Sequence, residues 1–172
     1  MRPSAFLIFI ALSGLPTTEL VAAPHQPHAH GKAELEVTIQ DGQVRGVFRT
    51  PMDNLLGFEH LPKTDAQKKS LERLRQRLED TSVLFRPNGE AQCTARSPEA
   101  KSSMFAGRVN AGHSDLEYRF GFDCEKPELL KQIEARLLTD YPRLHEIRSQ
   151  LVTPTTQRGV SLKRNNRLLT IQ

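Results

Sequence analysis

The side chains in this sequence best suited to chemistry are its six histidines, His25, His28, His30, His60, His113 and His145. Three of them fall in the run Pro24-His25-Gln26-Pro27-His28-Ala29-His30-Gly31. In an extended segment, side chains two apart point the same way, so His28 and His30 can approach one ion. A neutral imidazole binds zinc at about 2.0–2.1 Å, and zinc takes about four ligands. Two histidines therefore do not complete a site, and distant segments must contribute. The candidates are His60, with Glu59 beside it, and His113, with Asp115 two residues on and on the same strand face. Asp115 would either ligate directly or hydrogen-bond the far nitrogen of a ligand histidine. Glu59 would support a ligand from outside or serve as a base.

Plainer roles compete with each of these. A trailing segment would make His25 and His28 adventitious binders. His60 could cap the following helix or bond a backbone carbonyl, and His113 could be a turn residue. His145 alternates in phase with Ile147, Ser149 and Leu151, which predicts a packed core or sheet-face histidine rather than a ligand. Enzyme signatures are absent. There is no H-E-x-x-H, G-x-S-x-G, Walker-type loop or G-x-G-x-x-G, so the expectation is a binding protein rather than an enzyme. A three-ligand zinc with an open position for water keeps metal-dependent hydrolysis as the rival.

The elements that must position these residues begin with a strand. Ala33, Leu35, Val37 and Ile39 alternate with polar neighbours, the period of a half-buried strand. Asp41-Gly42 then predicts a hairpin, with Val44 to Thr50 returning. Met52 to His60 reads as a packed turn or one-turn helix. Thr64-x-x-Gln67 is a capping box, opening a helix whose Leu71, Leu74 and Leu78 share one face. Short strands are expected at 82–85, 90–95, 104–110 and 113–124, with a loop at 97–103. A second helix is expected from Pro127, with Leu129 or Leu130, Ile133, Leu137 and Tyr141 on its buried face, ending before Pro142. Strands at 145–152, 159–163 and 167–172 would close the chain, with a turn through Lys163 to Arg167. The expected fold is α+β: a mostly antiparallel sheet of about eight short strands with two helices, in a single domain.

Composition sets the outer limits. A chain of 172 residues, 37% hydrophobic and 26% charged, suits one globular domain with a real core. The net charge of +4 does not mark a nucleic-acid binder, because basic residues alternate with acids along the chain. Arg2 and the apolar run Ala5 to Leu15 have the form of an export signal, too short to span a bilayer. Residues 1–23 are read as a cleaved signal peptide and 24–172 as the domain, exported and not membrane-embedded. Cys93 and Cys124 are the cysteines. An even count in an exported chain favours a disulfide, against the alternative of two thiolate ligands to zinc.

Several of these runs resemble the ZrgA family of zinc-regulated periplasmic proteins. They are His28-Ala29-His30-Gly31, Pro51-Met52-Asp53-Asn54-Leu55-Leu56-Gly57-Phe58-Glu59-His60, Cys93, His113-Ser114-Asp115-Leu116, and Tyr118-Arg119-Phe120 before Cys124. The resemblance spans the whole chain after residue 23. It implies zinc binding and a part in zinc uptake with an ATP-binding-cassette transporter or another periplasmic metal carrier. It also maps His28, His30, His60 and His113 onto recurrent histidines and Asp115 onto a recurrent acid. Some members carry a long His/Asp-rich insert between the cysteine-bearing strands. Here that region, 97–103, is short and has no histidine, so a folded site rather than high-capacity storage is expected. The leading expectation is a periplasmic accessory protein that captures or buffers zinc, with His30, His60 and His113 as ligands and His28 or Asp115 as the fourth. Below about pH 6 protons should compete with metal at such imidazoles. The rivals are a metal-dependent periplasmic hydrolase and an envelope scaffold whose histidines are incidental.

Overall fold

Strand β1 (Lys32–Gln40) buries Ala33, Leu35 and Val37 and exposes the residues between them, because successive side chains of a strand leave on opposite faces. Asp41 and Gly42 both take positive φ, 50° and 76°. These are the angles a two-residue hairpin needs to follow the right-handed twist of its strands. The chain returns as β2 (Gln43–Pro51), pairing Glu34 with Arg49 through Gln40 with Gln43. The computed structural model describes residues 30–109 and 113–171. The expected signal peptide, His25, His28 and the turn at Ala111-Gly112 lie outside the described residues.

The remaining helices are α1 (Asp53–Leu56), α2 (Asp65–Leu78), α3 (Thr81–Leu84) and α4 (Leu137–Asp140). The remaining strands are β3 (Phe85–Pro87), β4 (Cys93–Ala95), β5 (Glu99–Lys101), β6 (Asp115–Cys124), β7 (Gln132–Ala135), β8 (Glu146–Val152), β9 (Gln157–Lys163) and β10 (Leu168–Thr170). One sheet of seven strands runs β4-β6-β2-β1-β8-β9, with β5 also on β6, and a second runs β10-β7-β3. Among the described residues only β1 and β8 pair in parallel. The fold is thus α+β and mostly antiparallel, as the sequence predicts, with more and shorter elements than expected.

The small sheet and the helices cover one face of the large sheet. Phe85 of β3 stacks on Phe120 of β6 at 4.2 Å between centroids and meets Phe48 of β2 edge-on at 5.7 Å. Phe120 faces Gly46 across the ladder, and its ring occupies the space a Cβ there would fill, with ring carbon at 2.1 Å. Leu74 and Leu78 of α2 enter the same core. The predicted capping box forms: Thr64 Oγ1 accepts from the Gln67 N–H at 3.2 Å, and Gln67 Oε1 accepts from the Thr64 N–H at 3.2 Å. Cys93 and Cys124 are paired directly across β4 and β6 and form a disulfide, so they are not thiolate ligands in this structure.

Several expectations are corrected. The helix expected from Pro127 to Tyr141 is a 3-10 turn (Pro127–Leu129), strand β7 and the single turn α4. Ile133 and Ala135 are buried while Gln132 and Glu134 are half-buried, a period of two that the 3.6-residue reading overlooked. Both edges of β7 are taken by β3 and β10, which decides the conformation. The strand expected at 82–85 is the turn α3 followed by β3. Asp80 accepts from the Ser82 N–H at 2.9 Å and so caps that turn. The strand expected at 104–110 is a series of turns over 103–107, while β5 lies inside the expected loop.

Candidate metal centre

The sheet register brings the singled-out residues to one end of the large sheet. Lys32 opposite Glu146, Glu34 opposite Arg49 and Pro51 opposite Asp115 place the starts of β1, β6 and β8 beside the end of β2. His30 precedes β1, His113 precedes β6, His145 precedes β8, and α1 with the Gly57–His60 segment follows β2. Residues far apart in sequence therefore share one rim.

Two of the histidines are oriented by carboxylates. Nδ1 of His113 lies 2.7 Å from Oε2 of Glu59. The imidazole is 63% exposed and the carboxylate 9%, so the ring faces water while its partner is held inside. Nδ1 of His30 lies 3.3 Å from Oδ2 of Asp53, with exposures of 67% and 19%. Nδ1 of His60 is 2.8 Å from the Leu61 carbonyl, and its ring stacks on Phe58 at 5.3 Å. At His113 and His60, an acceptor hydrogen-bonded at Nδ1 favours the tautomer that carries its lone pair on Nε2. This is the outer arrangement typical of metal-binding histidines, where the second nitrogen donates to a carboxylate or backbone carbonyl.

Asn54 pins these pieces together. It is 1% exposed. Its carbonyl accepts from the Gly31 N–H at 2.6 Å, and its amide donates to the Lys32 carbonyl at 2.8 Å and to Thr50 Oγ1 at 2.9 Å. The Gly31 carbonyl in turn accepts from the N–H groups of His145 and Glu146. Gly31 has φ +79°, and a Cβ there would meet the His145 ring at 2.6 Å. His30 is thereby delivered to α1 by a glycine turn with no room for a side chain. On the other flank, the Ser114 carbonyl accepts from the Met52 N–H at 2.8 Å, which fixes His113 beside the start of α1.

Asp115 and His113 line a shallow depression of about 730 Å3, together with Ser102, Ser103, Phe105 and Ser114. The Ser114 hydroxyl is 3.0 Å from those of both Ser102 and Ser103. His145 is exposed, which corrects the expectation of a packed histidine. It falls one residue before the strand in which Ile147, Ser149 and Leu151 point inward. Among the described residues, no three His, Cys, Asp or Glu side chains form a ready group around one point. The structure brings His30, Asp53, Glu59 and His113 to one rim in two pairs. Sequence reasoning missed Asp53 and Asn54, and placed Glu59 with its neighbour His60 rather than with His113.

Exposed imidazoles beside carboxylates are of the type that borderline divalent cations favour. The profile of a family described as "ZrgA family zinc uptake protein" matches residues 27–171. The chain belongs to that family, so its role is connected with zinc uptake. No curated protein matches it. Among the described residues no helix is long and apolar enough to cross a membrane.

Proposed function

We propose that this protein is an exported periplasmic accessory protein that binds zinc as cargo at the His-bearing end of its large sheet and supports uptake by a transport system. The observation that supports this most is the pair His113–Glu59, an exposed imidazole held at Nδ1 by a nearly buried carboxylate, repeated less tightly in His30–Asp53. In this reading Nε2 of His30, His60 and His113 are the donors, with His28 or Asp115 as a fourth. Glu59 and Asp53 orient rather than ligate. Gathering donors from three separate segments costs side-chain entropy, which moderates affinity and suits cargo that must be passed on. The acceptor would be an ATP-binding-cassette transporter or another periplasmic metal carrier. The apolar run Ala5 to Leu15 and the disulfide support an oxidising compartment.

The test is zinc binding by the purified protein in competition with a chromophoric chelator. One zinc per chain is expected, weakened at least about tenfold in His113→Ala and in His60→Ala. Binding unchanged in both variants, but lost when residues 24–30 are removed, would replace the folded site with a chelating lead-in. The depression beside His113 favours a second reading, a metal-dependent hydrolase. That reading requires turnover that depends on added zinc and disappears in His113→Ala.

A further inference from the structure

Arg143 stands where a cation-binding site would be expected to exclude a positive charge. It is held there by construction. It lies in the turn before β8, where the Leu144 N–H bonds the Tyr141 carbonyl at 3.0 Å. Its main-chain oxygen is 3.4 Å from the position a Cβ on Gly31 would take, and its Nε is 3.0 Å from that on Gly57. Both glycines have positive φ, +79° and +82°, so two left-handed turns border Arg143. From there Nη1 reaches Oδ2 of Asp53 at 3.7 Å. The same oxygen is the one 3.3 Å from Nδ1 of His30. One carboxylate oxygen therefore serves both the candidate ligand and a permanent cation.

We infer that Arg143 is an affinity-limiting charge built into the metal site, offsetting Asp53 so that a dication held by His30 is released as well as captured. The inference rests on the proposed role of His30 as a zinc ligand. From the width of an imidazole and a zinc–nitrogen bond of about 2.0–2.1 Å, an ion on Nε2 of His30 lies within roughly 10 Å of the guanidinium. That is about one Debye length at physiological salt, and a dication doubles the repulsion felt by a single charge. Arg143 is 61% exposed, so its removal leaves no hole in the core. Asp53 would then act on the site with its charge uncompensated.

The experiment measures zinc affinity and dissociation rate for the wild-type protein, His30→Ala, Arg143→Gln and Arg143→Lys, each checked for folding by circular dichroism. Arg143→Gln should bind zinc roughly threefold to tenfold more tightly at low ionic strength. Its dissociation should be slower, and the difference should shrink at about 0.5 M salt. Arg143→Lys should behave as wild type. Arg143→Ala substitutes if the glutamine variant does not fold. Equal or weaker binding by the neutral variant overturns the inference, as does a lysine variant that matches the glutamine one. If the wild type binds zinc and His30→Ala weakens it while Arg143→Gln changes nothing, the role of Arg143 alone fails. If His30→Ala binds like wild type, the role of His30 fails and the inference falls with it.

Discussion

Which nitrogen an imidazole leaves open decides what it can bind, and at His113 that choice is made by Glu59. A carboxylate accepting from Nδ1 fixes the ring's tautomer and raises the basicity of Nε2. Glu59→Gln keeps the shape and loses the charge, so zinc affinity should fall about tenfold or more. A competition titration reads the affinity, and a thermal melt of the metal-free variant shows whether folding is intact. An unchanged affinity would mean that Glu59 only packs His113 into place. The histidines of this site were legible from their type and crowding, but their acceptors were not. Glu59 and His113 are 54 residues apart, and only the approach of the end of β2 to the start of β6 makes them neighbours. Asp53 carried no signal of its own, since a lone aspartate before a short apolar run also reads as the first turn of a helix.

At the scale of the element, α1 is only one turn, and a turn that short has no stability of its own. It is held by what Asn54 does for its neighbours. Removing that side chain in Asn54→Ala leaves the Gly31 N–H and the Lys32 carbonyl without their partner. The expected cost is about 2–6 kcal/mol, given roughly 1–3 kcal/mol for each of the two polar groups left unmet. Urea denaturation measures it. Thr50→Val, which removes one acceptor, should cost about 1 kcal/mol. The solvent face of the large sheet adds a pH dependence. Arg119 first, and then Arg49, hydrogen-bond the Glu117 carboxylate and hold it below its ordinary value of 4.5. A depressed carboxyl stabilises the folded state above that unfolded value, and the contribution is lost as pH falls through the folded one. Glu117→Gln should therefore flatten the loss of stability below about pH 4.5 in acid titrations followed by circular dichroism. Strands with clear alternation, such as β1 and β8, were readable at this scale. β7 was not, because Leu130, Ile133 and Leu137 also satisfy a helical spacing, and what selected the strand was a pair of edges supplied from elsewhere in the chain.

For the whole molecule, the disulfide and the candidate site sit at opposite ends of the same strand. β6 begins with Asp115 at the histidine-bearing rim and ends with Cys124, roughly 30 Å away at about 3.3 Å per residue. Cys124 faces Cys93 across the ladder, so the bond ties the short strand β4 to the far end of the sheet. Closing a loop with a sequence separation of 31 is worth about 3–4 kcal/mol when the unfolded chain loses that freedom. Replacing both cysteines with serine should therefore lower unfolding free energy by about that amount in urea. Zinc affinity of the folded variant should stay within about twofold of wild type, because the replacement changes no charge and lies at the other end of β6 from the histidine-bearing rim. The two readouts separate a cross-link that serves stability alone from one that also shapes the site. A folded double-serine variant that no longer binds zinc would mean that the cross-link holds the histidine-bearing end in shape from across the sheet. One that binds normally but unfolds earlier places the cross-link in the scaffold and keeps the cargo site at the rim that carries the pairs His30–Asp53 and His113–Glu59.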